Sequence, residues 1–203
     1  MVTIAAIVEG HGEVTAVPLL LRRLVVHLAP GVALSVEPPI RRSRDRLLKP
    51  GELEKDVELA AERLTGKTGA ILILLDSEGD CPADLGPSIL RRAVEARPDR
   101  IIRVALANRE YEAWFLAAAA SLAGKRGLDS AITAPADPEI VPGAKEWLRK
   151  RMVPGRTYSE TADQPALTQV FDLELARRHA PSFDRLCRVC ESLFQTLSHE
   201  DQN

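Results

Sequence analysis

Ala70-Ile71-Leu72-Ile73-Leu74-Leu75-Asp76-Ser77-Glu78-Gly79-Asp80 is the stretch that decides the fold. A short, unbroken apolar run that gives way at once to acid and glycine reads as a strand buried on both faces, the kind found in parallel sheets. Working outward, Val2–Val8 is a second such run. Val32–Val36 is a weaker one, closed by Pro38-Pro39, and Ile101–Ala107 is a fourth. Between them the apolar period changes. Val14, Val17, Leu20, Leu21, Leu24, Val25 and Leu28 recur at helical spacing, with Arg22 and Arg23 assigned to the opposite face and Pro30-Gly31 as the stop. Gly51–Leu64, Leu85–Ala96 and a segment from Asn108–Glu112 through Leu122 give further helices. This order predicts an α/β fold: a mostly parallel sheet of about four strands with helices on both faces.

From Gly124 the pattern changes. Pro135, Pro138 and Pro142 punctuate a loop, and helices are expected at Gly143–Arg151, Ala166–Arg178 and Ser182–Leu197, with His199–Asn203 frayed. Residues 1–123 form the expected core and 124–203 a helical extension packed on it, together one structural domain. The 203 residues are 45% apolar and 28% charged, which excludes a disordered, collagen-like or simple coiled-coil chain. Basic and acidic side chains nearly balance, 27 against 29, so a polyanion site must be a local patch. At 4% aromatic, the chain is a poor source of base-stacking platforms. Cys81, Cys187 and Cys190 make no disulfide framework and suit a reducing cytosol. Cys187-x-x-Cys190 lacks a second ligand pair for zinc and reads as core thiols. There is no basic segment leading to a cleavage site, and the longest apolar runs fall short of the roughly 18–20 residues a membrane span needs. A cytoplasmic chain without a membrane partner is expected.

Three expected strands end in carboxylates: Glu9 and Glu13, then Asp76, Glu78 and Asp80, then Glu110 and Glu112. In an open parallel sheet the strand C-termini share one edge, where ligands bind, and neighbouring strands lie about 4.8 Å apart. Gathered carboxylates repel, and some protonate unless a cation compensates. Hard divalent cations prefer oxygen ligands, so this arrangement predicts one or two Mg²⁺ or Mn²⁺ sites among these acids. For any single acid, helix capping competes with this reading, Glu13 and Glu112 being natural first-turn acids. Capping alone explains three strand ends less well. Gly10-x-Gly12 lacks the third glycine of a dinucleotide fingerprint, Thr15 standing there, and no P-loop pattern occurs. The amides of Gly10, His11 and Gly12 either cradle a phosphate or form a plain tight turn. Two basic stretches, Arg41, Arg42 and Arg44 up to Lys49, and Lys145 to Arg156, either contact phosphates or face solvent.

Ile7-Val8-Glu9-Gly10-His11-Gly12-Glu13 resembles the hydrophobic-Glu-Gly-x-x-Glu element of TOPRIM domains, the Rossmann-like fold of topoisomerases, primases and OLD-family nucleases. Leu74 to Asp80 resembles their Asp-x-Asp element. Over nearly its full length the chain is also similar to a bacterial TOPRIM-like family of unknown function. That family's four elements match Glu9-Gly10, Asp76 to Pro82, Glu112-Ala113-Trp114 and Ser182-Phe183. One departure is Glu78, where the pattern has Asp. The resemblance implies Glu9 as general acid or base or metal ligand, Asp76 and its acidic neighbours as metal ligands, and Glu13 as the second acid of the OLD-type variant. It also implies a lysine near the scissile phosphate, for which Lys145 is the candidate. Glu9, Glu13, Glu112 and Lys145 are the expected catalytic set. The implied activity is Mg²⁺-dependent hydrolysis of nucleic-acid phosphodiesters, in defence against mobile elements. The alternatives are a non-catalytic nucleotide- or nucleic-acid-binding module serving an ATPase partner, and a small-nucleotide phosphohydrolase.

Overall fold

The period-two alternation of a doubly buried strand is carried out residue by residue in the computed structural model, which describes residues 1–201. The strands are β1 (Val2–Val8), β2 (Leu34–Val36), β3 (Ile40–Arg41), β4 (Gly69–Asp76) and β5 (Ile101–Ala107). In β4, Leu72 and Leu74 face one side of the sheet while Ile71, Ile73 and Leu75 face the other. β1 divides the same way, Ile4, Ala6 and Val8 against Ala5 and Ile7. Such strands need a helical layer on each face, because neither side tolerates water.

The helices supply both layers. They are α1 (Glu13–Leu28), α2 (Arg44–Leu47), α3 (Glu52–Arg63), α4 (Pro82–Ala96), α5 (Ala113–Ala117), α6 (Ala144–Arg149), α7 (Glu160–Thr168), α8 (Leu173–His179) and α9 (Pro181–Glu200). The apolar sides of α2, α3 and α4 close one face, with Leu47, Leu53, Val57 and Ile89 in its core. α1, α5 and the C-terminal helices close the other.

Every strand pairing is parallel, in the order β2-β1-β4-β5, with β3 also on β1. The sheet thus has five strands where about four were expected. The additional one lies in the expected basic loop, where Ile40 turns inward. β2 and β3 are two halves of one edge strand. Glu37 N still donates to Ile4 O at 2.9 Å and Arg42 N to Val8 O at 2.9 Å. Pro38 and Pro39 have no amide to give, so the ladder breaks between them. The chain winds outward from β1 to β2 and then returns past β1 to β4 and β5. The reversal opens a crevice at the C-terminal ends of β1 and β4.

The extension is built into the core. Trp114 Nε1 donates to Ser182 Oγ at 2.8 Å, and the Trp114 ring meets Phe183 edge-on at 5.2 Å. The Glu-Ala-Trp and Ser-Phe elements are therefore packing partners. Arg23 was expected on the polar face of α1. Instead it donates to Thr168 O and Phe171 O, both at 2.7 Å, and lies 5.2 Å over the Phe171 ring. It satisfies the last carbonyl of α7, which the helix itself leaves open, and one in the loop before α8. The single helix expected over Ala166–Arg178 is two, α7 and α8. The break falls before Asp172, whose side chain accepts from Leu175 N at 2.8 Å and starts α8 anew. Cys187 and Cys190 are core thiols, as expected. α9 runs on to Glu200 rather than fraying at His199, while Gln202 and Asn203 lie outside the described residues.

α7 also presses on the turn between β1 and α1. A methyl group at Gly12 would come within 2.5 Å of the Glu160 backbone oxygen. Gly12→Ala is therefore expected to cost about 1–3 kcal/mol of stability, read as a lower urea midpoint. An unchanged midpoint would mean that α7 does not bear on this turn.

Candidate active site

Glu9 follows the last residue of β1 and Asp76 is the last of β4, on adjacent strands in parallel register (Val8 opposite Leu74). Both line one cleft of about 500 Å³ at the crevice, together with Lys145 and Arg149 of α6 and Arg109 and Glu78 of the strand-end loops. The expected convergence of Glu9 and Asp76 therefore holds.

Behind the cleft, acids are held by the backbone. Glu13 is buried, and its Oε2 accepts from Glu9 N at 2.9 Å. The amide of Gly10 also turns toward this carboxylate. At the start of the expected cradle of Gly10, His11 and Gly12, the Gly10 amide is thus taken by the chain's own Glu13. His11 points to solvent. Asp76 Oδ1 accepts from Tyr111 N at 2.8 Å. Glu112 is fully buried, and its Oε1 takes the Tyr158 hydroxyl at 2.8 Å and Gln164 Nε2 at 3.3 Å. Glu9 Oε2 and Glu112 Oε2 are buried without a hydrogen-bond partner.

Burial dominates the electrostatics. It pushes the Glu13 and Glu112 carboxyls up to about 7. It raises Asp76 well above the usual carboxylate range, with the charges of Glu13 and Glu112 adding to the effect. Burial also raises Glu9 and Glu78 adds to it, while Arg44 and Lys145 pull it back. Burial by itself would weaken the Lys145 ammonium. The charges of Glu112, Asp76 and Glu160 outweigh it and hold the lysine protonated. One ammonium thus faces several carboxylates: they raise the lysine, while it pulls down acids that burial has pushed up.

Lys145 owes its position to residues the sequence reading did not single out for this role. Glu110 takes the amides of Ala144 and Lys145, at 3.2 and 3.0 Å, and so fixes the start of α6 against the cleft. Glu160 pairs with Lys145 Nζ at 3.2 Å. Tyr158 and Gln164 complete the Glu112 pocket. Glu160, Tyr158 and Gln164 come from the extension, where no local pattern marks them as site residues.

Other expected site residues have partners of their own. Glu78 and Asp80 are more than half exposed and pair with Arg44, Glu78 at 3.6 Å. Glu78 lines the cleft with Glu9 and Asp76, but its ion pair is to this guanidinium. Arg42 is committed to Asp56, at 2.8 and 2.5 Å. Arg41 is exposed, with one guanidinium nitrogen 3.4 Å from Glu9 O. In the second basic stretch, Arg151 stacks on Trp147 at 3.6 Å and Arg156 turns toward Asp163. Among the described residues, no three His, Cys, Asp or Glu side chains stand together in a ligating arrangement, and no helix is long and apolar enough to cross a membrane.

A family model described as domain of unknown function DUF4276 matches residues 8–190, a span that holds every site residue named above. The chain belongs to the DUF4276 family. No curated protein and no solved structure matches it.

In this DUF4276 chain the raised carboxyls carry a stability signature. Between the ordinary 4.5 of a free glutamate and about 7, the folded state holds more protons at Glu13 and Glu112 than the unfolded state. Their contribution is full below 4.5 and is lost as pH climbs through 7. Glu112→Gln mimics the protonated acid. It should flatten the fall in stability between pH 5 and pH 8 by on the order of 1–3 kcal/mol, measured by urea denaturation at both values. An identical fall in the variant and the parent would remove Glu112 from this account.

Proposed function

We propose that this DUF4276 domain is a TOPRIM-like, Mg²⁺- or Mn²⁺-dependent phosphodiesterase acting on nucleic acid. The observation that carries the reading is the meeting of Glu9 and Asp76 in one cleft beside Lys145, with Glu9 Oε2 buried and unpartnered. An orphaned carboxylate oxygen among other acids calls for a cation. Glu9 and Asp76 suit a hard divalent ion, which takes few protein carboxylates and keeps much of its water. Glu78 and Asp80, drawn to Arg44, suit it less as they stand. A bound divalent ion would neutralise charge on the phosphoryl oxygens.

The chain's own side chains supply the rest. Lys145, kept charged by its acidic neighbours, would pair with a phosphate oxygen. Arg149 and Arg109 on the rim would hold the flanking phosphates. Glu9, with its carboxyl raised by burial, would accept and return a proton in the cleft. Glu13 and Glu112 form the buried floor that holds Glu9 and Lys145 in place.

A second reading is favoured by the Arg44 ion pairs: a non-catalytic module that binds nucleotide or nucleic acid, as accessory to an ATPase partner. The two readings differ in turnover. On the first, purified protein with Mg²⁺ or Mn²⁺ nicks DNA or cleaves RNA, and Glu9→Gln lowers the rate by at least about 100-fold. Lys145→Met should lower it as well. Calorimetric titration of Mn²⁺ should give weaker binding to Asp76→Asn than to the parent. Metal and nucleotide binding without any cleavage would select the module. Cleavage untouched by Glu9→Gln would place the activity elsewhere.

A further inference from the structure

β5 ends the sheet, and its outer edge receives no backbone hydrogen bond from another segment among the described residues. α4 covers one face of the sheet beside this edge and α9 the other, leaving a groove of about 440 Å³ along the strand. The two walls differ in chemistry. On the α4 side Val104 and Leu106 sit with Pro87 and Leu90. On the α9 side Arg103 of β5 meets Arg185 and Arg188.

The charge on that wall is largely free. Arg185 is exposed and, among the described residues, makes no ion pair. Arg103 donates to the neighbouring Ile102 carbonyl at 3.0 Å and, among the described residues, to no carboxylate. Arg188 is partly answered by Asp184 at 2.7 Å. Glu139, at the end of the groove, is buried and spends its oxygens on Ser182 N at 2.9 Å and Asn108 Nδ2 at 3.4 Å. Among the described residues it forms no ion pair with the arginines.

We propose that the edge of β5 accepts an extended segment of a partner protein, added to the sheet as a further strand, with apolar and acidic side chains in alternation. An added strand satisfies the unpaired backbone groups of the edge. Its side chains alternate between the two faces. One set meets Val104, Leu106 and Pro87, and the other meets Arg103 and Arg185. A second copy of this chain pairing edge to edge would bring Arg103 and Arg185 toward their own counterparts, and like charges opposed across strands destabilise. This groove shares no lining residue with the cleft of Glu9 and Asp76.

The test uses the full chain and two fluorescent peptides as long as β5, seven residues: one alternates glutamate and valine, the other lysine and valine. The glutamate peptide is expected to bind at least about tenfold more tightly, a difference of about 1.4 kcal/mol. It should also slow hydrogen exchange within residues 101–107. Arg185→Glu and Arg103→Glu, combined, should reverse the preference toward the lysine peptide, a gain that a misfolded variant cannot produce. Equal binding of the two peptides, no binding of the glutamate peptide, or protection outside β5 and its two walls would overturn the proposal. Self-association that protects these amides without peptide would also overturn it, by assigning the edge to a second copy.

Discussion

Like charge confined in a dry crevice is the constraint on which this structure turns. Glu9, Glu13, Asp76 and Glu112 act electrostatically on one another or on the same lysine, and most of them are buried. Each ionised group in such a place is costly unless donors or cations surround it. Much of the local architecture answers that cost. The amides of Glu9 and Gly10 turn toward Glu13, Tyr111 N toward Asp76, and the Tyr158 hydroxyl toward Glu112. What remains unanswered is one oxygen each on Glu9 and Glu112.

The surroundings show how a chain maintains such a site. Glu110 sits just past a strand end, where a ligand role is tempting, yet it binds the first amides of α6 and so aims Lys145. α7 brings Glu160 and Gln164 over the cleft only because Gly10 and Gly12 leave room. A Cβ at Gly10 would lie 2.8 Å from Glu160 Oε1. Two glycines that resemble a phosphate loop thus serve close packing and an internal carboxylate. Arg44 pairs with Glu78 and Asp80 and also acts on Glu9. The strand-end acids are divided in two: an inner set around Lys145 and an outer pair around Arg44.

The two faces of the sheet are fully used, and its two edges are not alike. At one, β2 and β3 are interrupted by Pro38-Pro39, which blunts the edge against further pairing. At the other, β5 stays open between an apolar wall and an arginine wall. Charge at the middle of an edge strand discourages self-pairing while leaving the edge open to a segment of opposite charge.

The unbroken apolar runs Ala70 to Leu75 and Val2 to Val8, with helical spacing between them, were enough by themselves to determine a parallel sheet covered on both faces. The reason is local. A doubly buried strand must be apolar throughout, and parallel neighbours need crossover helices. The same runs put Glu9 and Asp76 at strand ends, so their meeting was legible in the sequence. Which acids share a lysine was not legible. Glu78 and Asp80 differ from Asp76 only by a turn, and nothing local says that Arg44 claims them. Arg23 reads as a surface residue until α7 is docked beneath it. Tyr158, Glu160 and Gln164 carry no motif, since their roles exist only where the extension folds back over the crevice. Long-range packing chooses partners for charges, and it does so through contacts between residues 145 to 164 and the strand ends that the order of residues along the chain does not encode locally.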